Sequence, residues 1–265
     1  MPSKRFIPGI FNYCDYWCER CAFTRRCRNF QMGEELQREA RGETDPAGRH
    51  DAANADFWSA LADQLNRSGG DWPVPDEAET VPEPDPEWEA RETARRTAVR
   101  QHPLVRLAMD YMQQVQTWLQ DAKPDLEAVA RDMLVAARSP VPTDAEDEAL
   151  EIGDMIEVVS WYHTLIPPKL SRALDGRLEA NEEEAEASGE SAGFHLEDAN
   201  GSGRVVLLAI ERSIAAWLRL RETVPTQEDA ILRMLVLLDR MRAGIHLALP
   251  GARNFHLPFL DSRPD

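Results

Sequence analysis

The chain has 265 residues, of which 43 % are hydrophobic and 29 % charged, a composition that fits a globular protein large enough to bury a real core. Its longest uninterrupted apolar run is the six residues from Val205 to Ile210, where a membrane span needs about 20, so no transmembrane segment is expected. With 47 acidic side chains against 30 basic ones the net charge is −17, a long-range field that repels nucleic acid and anionic lipid.

The opening residues, Met1-Pro-Ser-Lys-Arg-Phe-Ile-Pro, contain neither an apolar stretch nor a small-residue cleavage site, and a reducing cytoplasm is the expected compartment. Residues 1–30 differ from the rest in charge: Lys4, Arg5, Arg20, Arg25, Arg26 and Arg28 face only Asp15 and Glu19, a net +4 that leaves −21 on the other 235 residues. All four cysteines fall in this segment, with seven of the nineteen aromatic residues.

The cysteines are spaced Cys14-x3-Cys18-x2-Cys21-x5-Cys27, four thiols within fourteen residues. In a reducing compartment such density points to metal ligation rather than to disulfides. Four thiolates around Zn²⁺, or around an oxidised 4Fe-4S core, leave a net charge of about −2, which the neighbouring arginines offset while the aromatics limit solvent access. Four-cysteine zinc sites are usually assembled from two separated knuckles. Here the middle gap is short, and no cysteine is followed by a knuckle glycine. A cubane spreads its iron corners over a larger volume, so one winding loop can serve all four. The expected cofactor is therefore a 4Fe-4S cluster on Cys14, Cys18, Cys21 and Cys27, with zinc on the same residues as the alternative.

Residues 31–67 read as one or two short helices, the clearer from Ala52 to Asn66 with Phe57, Trp58, Leu61 and Leu65 on one stripe. Residues 71–87 hold five prolines and seven acids, the composition of an extended strap or linker. From Glu87 the pattern is helical. Leu104, Leu107, Ala108, Tyr111, Val115, Trp118 and Leu119 form a stripe after a start at Pro103, with His102 at the cap, and Pro124 opens a helix through Leu134. A further helix carries Ile152, Ile156 and Val159 and is expected to stop at Pro167-Pro168. Between Arg177 and Arg204 lie eight acids and no lysine or arginine, which reads as a solvated loop containing Gly201-Ser-Gly203 as a helix cap. Two helices close the chain, the second capped at Thr226. No strand alternation and no internal repeat is evident.

The expected fold is all-α: an up-and-down helical bundle with a small N-terminal cysteine-rich metal-binding module. The parts are residues 1–30, the cysteine-rich metal- or cluster-binding module; 31–87, short helices and the acidic strap; and 88–265, the bundle.

Other candidates are weaker. Asp147, Glu151, Asp154 and Glu157 share a helix face, most simply a solvated stripe, and no histidine follows an acid at the three-residue spacing of di-iron bundles. His163, beside Trp161 and Tyr162, reads as a core residue or as a cofactor contact in a pocket between helices. Gly189-Glu-Ser191-Ala-Gly193 matches a nucleophile-elbow string but lies in the acidic loop, without the strand that chemistry requires. Trp118, Trp161 and Trp217 each fall on an apolar stripe.

The first three cysteines resemble the CxxxCxxC signature of radical S-adenosylmethionine enzymes over eight residues. That reading is set aside, because Arg20 stands where the family commonly has an aromatic residue, Cys27 supplies a fourth ligand, and the remainder reads helical. The helical part, including Asp198-Ala-Asn-Gly-Ser202 and Ile210-Glu-Arg-Ser-Ile-Ala-Ala-Trp217, resembles a bacterial family with an N-terminal four-cysteine motif and a C-terminal helical bundle. The resemblance spans about the first thirty residues and most of 100–260, and it brings no activity with it. The expected role is electron transfer or redox sensing with a protein partner docked on the bundle; the alternative is a non-catalytic adaptor held together by structural zinc.

Overall fold

A computed structural model describes residues 6–41, 59, 85–137, 145–185 and 192–257, and among these there is no strand. The helices are α1 (Arg28–Ala40), α2 (Pro86–Gln101), α3 (Pro103–Asp121), α4 (Lys123–Ala137), α5 (Ala145–Ala185), α6 (Ala192–Thr223) and α7 (Glu228–Ala248). No helix among the described residues is long and apolar enough to cross a membrane. The expected helix at 52–66, apart from a helical Ser59, residues 71–84 of the strap expected at 71–87, and the serine of the elbow string lie outside the described residues, while Pro86 and Glu87 at the strap's end open α2.

Helices α5 and α6 form the spine as an antiparallel pair. Glu151 meets Arg219, Tyr162 meets Arg212 and Arg172 meets Asp198, so contacts run in opposite directions along the two. Helix α3 packs against α5 and α7, and its side chains reach Trp217 on α6. Its stripe buries Val105, Ala108, Tyr111, Val115 and Trp118, and Trp217 Nε1 donates to Tyr111 Oη at 3.0 Å while its ring meets Trp118 edge-on at 4.7 Å. Helix α2 lies along the C-terminal half of α5, where Arg95 reaches Asp175, Glu179 and Glu182. The starts of α2 and α3 follow local chemistry. Asp85 accepts from Glu87 N at 2.9 Å and His102 Nδ1 accepts from Leu104 N at 3.2 Å, each just before a proline whose missing N–H is no loss in a first turn.

Four expectations are corrected. Pro167-Pro168 does not stop α5, which continues to Ala185. Two interior prolines cost about 3 kcal/mol each, but Ile166, Leu170 and Ala173 are fully buried around them, and large side chains return about 1.5–3 kcal/mol apiece. The described residues of the acidic segment 177–204 are helical rather than a loop: α5 runs to Ala185 and α6 begins at Ala192. Several of its carboxylates are partnered, Glu179 and Glu182 by Arg95 and Asp198 by Arg172. Gly201-Ser-Gly203 is buried inside α6 rather than capping it, and Thr226 Oγ1 donates to Asp125 at 2.9 Å instead of capping α7, which starts at Glu228.

Candidate functional site

The cysteine segment is a single winding loop. Two short 3-10 turns, Cys18–Arg20 and Thr24–Arg26, are each followed by a cysteine, Cys21 and Cys27, in extended conformation. Ile7 N donates to Arg26 O at 3.0 Å, which draws the ends of the loop together, and Gln31 on α1 fastens it through Arg25 O at 2.9 Å. Helix α1 begins at Arg28, within the 1–30 segment. Tyr16 adopts a left-handed φ of 56°, turning the chain between Asp15 and Trp17 so that both face the bundle.

That docking rests on residues far apart in sequence. Asp15 is the hub: its Oδ2 accepts from Tyr162 Oη at 2.7 Å and from Arg212 Nη1 at 2.8 Å, and its backbone carbonyl accepts from Trp161 Nε1 at 3.0 Å. Arg212 also donates to the Tyr162 hydroxyl. Trp17, only 9 % exposed, stacks on Trp161 at 5.2 Å and meets Tyr162 edge-on at 5.7 Å. Arg20 lies 4.3 Å from the Trp17 ring centre and pairs with Asp154 at 2.7 Å and Glu157 at 2.6 Å. Part of the acidic face expected to be a solvated stripe thus receives the loop, while Glu151 pairs with Arg219. Tyr13 packs edge-on to Phe255 at 4.9 Å and lies against Gly201.

All four cysteines are free thiols, three half-buried and Cys21 exposed. They share one electrostatic neighbourhood. Burial, followed by Cys14, Cys21 and Cys27, pushes the Cys18 thiol up to about 11. Burial also raises Cys14, against the opposing influence of the Tyr16 backbone and Lys169. Cys14 and Cys18 resist ionisation as bare thiols, and a bound cation would ionise them, since metal coordination deprotonates thiols outright. Among the described residues no three metal-binding side chains converge closely enough to hold a single ion.

Lys169 on α5 is 7 % exposed, and its ammonium lies 4.5 Å from the Tyr16 ring centre. Burial lowers its pKa, and among the acidic groups around it Cys14 opposes that shift more than Asp198 or Asp15. A buried cation is thereby directed at the cysteine loop. His163, the other sequence candidate, lies elsewhere: it is 6 % exposed, its Nδ1 faces Val159 O at 3.1 Å, and burial lowers its pKa. It does not line the cavity under the loop.

That cavity, of about 610 Å³, lies between the loop and the α5–α6 pair, with Cys14, Cys21, Trp17, Tyr162 and Arg212 among its walls. Trp118 and Trp217 are core, whereas Trp161 belongs to the docking surface.

The reading of the sequence passes over Asp15, Lys169 and Arg212, whereas it names Tyr162 beside a pocket between helices, and Tyr162 lines the cavity. A signal existed for two of them, because Lys169 falls on the stripe of Tyr162, Ile166 and Ala173, and Arg212 on that of Val205, Ala209 and Ala216. A cation on an apolar stripe must meet an anion or a ring.

Compared with protein-family models, curated proteins and solved structures, the chain matches none.

Proposed function

We propose that Cys14, Cys18, Cys21 and Cys27 hold a 4Fe-4S cluster, and that the protein works in one-electron transfer or redox sensing with a partner protein docked on the helical bundle. The observation that carries this reading is the pairing of one four-thiol loop with a buried lysine directed at it. A lysine residue only 7 % exposed is costly unless an anion or a ring offsets its charge, and four thiolates on an oxidised cubane leave about −2. A cubane lets each sulfur bind its own iron corner, so one winding loop can serve all four cysteines.

In this arrangement the four cysteines complete the ligand set, and no iron corner is left for substrate. The bound cluster would supply one-electron chemistry; the protein sets its surroundings. Lys169 places positive charge beside Cys14, Trp17 and Phe23 restrict water, and exposed Cys21 marks the side nearest a partner. The acidic surface favours a basic partner.

The test is elemental analysis and an absorption spectrum on anaerobically purified protein, beside a Cys18→Ser/Cys21→Ser variant. About four iron and four sulfide per chain with a broad band near ~400 nm, lost in the variant, is the expected result. One colourless zinc per chain would replace this reading with a structural adaptor, and absence of both metals would overturn ligation altogether.

A further inference from the structure

The cavity of about 610 Å³ between the cysteine loop and the helix pair is a cleft partly open to solvent, with exposed Cys21 and Ala215 on its walls. It falls inside the roughly 300–1,000 Å³ range of small-molecule sites. Its room comes from the choice of side chains on α6, where Ala209, Ala215 and Ala216 face a roof of larger residues.

The walls restrict what can enter. Most of the lining is apolar; Tyr13 and Phe23 keep part of their aromatic surface open, whereas Tyr162 is buried and Trp17 is already covered by Trp161 and Arg20. The polar corner is narrow: Asp15, Tyr162 and Arg212, joined by the 2.7 Å and 2.8 Å bonds to Asp15 Oδ2; Arg20 also lines the cavity, but its charge is taken up by Asp154 and Glu157. Asp15 and Arg212 cancel in charge, and Asp15 would repel an anionic ligand placed beside them. The Tyr162 proton is committed to Asp15. Arg212 uses only Nη1 toward these two residues, and a guanidinium has five N–H donors in all. The corner offers donors without net charge, which suits a neutral acceptor such as a carbonyl oxygen.

We propose that this cavity binds a neutral, flat aromatic compound with ring carbonyls, of the quinone class, one carbonyl accepting from Arg212 and the ring lying against the half-open apolar wall of Phe23, Leu208 and Ala215. Cys14 and Cys21 are part of the same wall, so the bound ring lies beside the thiol loop. The binding rests on the cavity alone, while a redox role for the ring rests on the cluster proposed above.

The experiment uses the full chain and 2,3-dimethyl-1,4-naphthoquinone, whose substituted ring does not add thiols, with tryptophan quenching and equilibrium dialysis as readouts. Iron, sulfide and zinc are determined on the same preparation. Saturable binding at one site per chain is expected. Ala215→Trp, at an exposed position of α6 lining the cavity, should weaken it at least about tenfold with an unchanged melting temperature, and Arg212→Gln should weaken it about tenfold through loss of a charge-assisted hydrogen bond. 2-Naphthoate, similar in shape but anionic, should bind at least about tenfold more weakly. No saturable binding, binding indifferent to Ala215→Trp, or tighter binding of 2-naphthoate would each overturn the proposal. Binding without iron would leave this inference standing and remove the cluster; iron without binding would do the reverse.

Discussion

Asp15 and Arg212 are 197 residues apart in the chain, yet Oδ2 and Nη1 meet at 2.8 Å. With Tyr162 they fix the cysteine loop to both helices of the spine. Neutralising either partner should loosen the loop. The pair is partly exposed, so its coupling should be about 1 kcal/mol rather than the larger values of sealed pairs. A double-mutant cycle of Asp15→Asn and Arg212→Gln, read by urea denaturation, measures it; strict additivity would show that the contact does not anchor the loop.

This contact also shows where reading the sequence reaches its limit. The three- and four-residue stripes of α3 and α7 announce themselves, because helix periodicity is a local property and their buried faces are apolar. The four cysteines stand out by density. What periodicity does not encode is which stripe faces which. The carboxylates of α5 look solvated until Arg20 and Arg95 are seen to reach them, and Pro167-Pro168 looks like a stop until the burial around it is known. Pairwise partnerships across the fold overrode local propensity at each point. Gly201 is similar: nothing local in the chain says that the ring of Tyr13 will lie on it.

The prolines of α5 provide a test of that override. Each leaves a carbonyl one turn earlier, at His163 and Thr164, without its helical donor. Pro168→Ala restores an N–H and removes a ring clash, at the cost of a more flexible unfolded chain. A net gain of about 1–2 kcal/mol, roughly 2–8 °C in melting temperature, is expected from calorimetry. A loss would mean that the spine is packed around a bend which the proline sets.

Acid should weaken the start of α3. Burial holds His102 below its ordinary value of 6.5, and its Nδ1 must be unprotonated to accept from Leu104 N. As pH falls the unfolded chain therefore binds the proton first. Stability from this group is full above about pH 6.5 and is lost as pH drops through the lower folded value. Buried His163 acts in the same direction. His102→Asn keeps a capping side chain that does not titrate, so denaturation midpoints taken between about pH 7 and pH 5 should fall less steeply than in the parent protein. Parallel slopes would remove His102 from the acid response.

Gly201→Ala separates helix propensity from docking. In an ordinary helix interior alanine is better than glycine by about 1 kcal/mol. Here a Cβ would collide with the ring of Tyr13, on the loop one residue from Cys14. Overpacking of this kind costs about 1–3 kcal/mol, enough to reverse the sign. The variant should be less stable than the parent and should show faster proteolysis of the N-terminal loop than of the bundle. Tyr13→Ala, which clears the space at its own cost in packing against Phe255, should make the same glycine substitution neutral or favourable. If Gly201→Ala stabilises the protein with Tyr13 intact, the loop is not seated on α6.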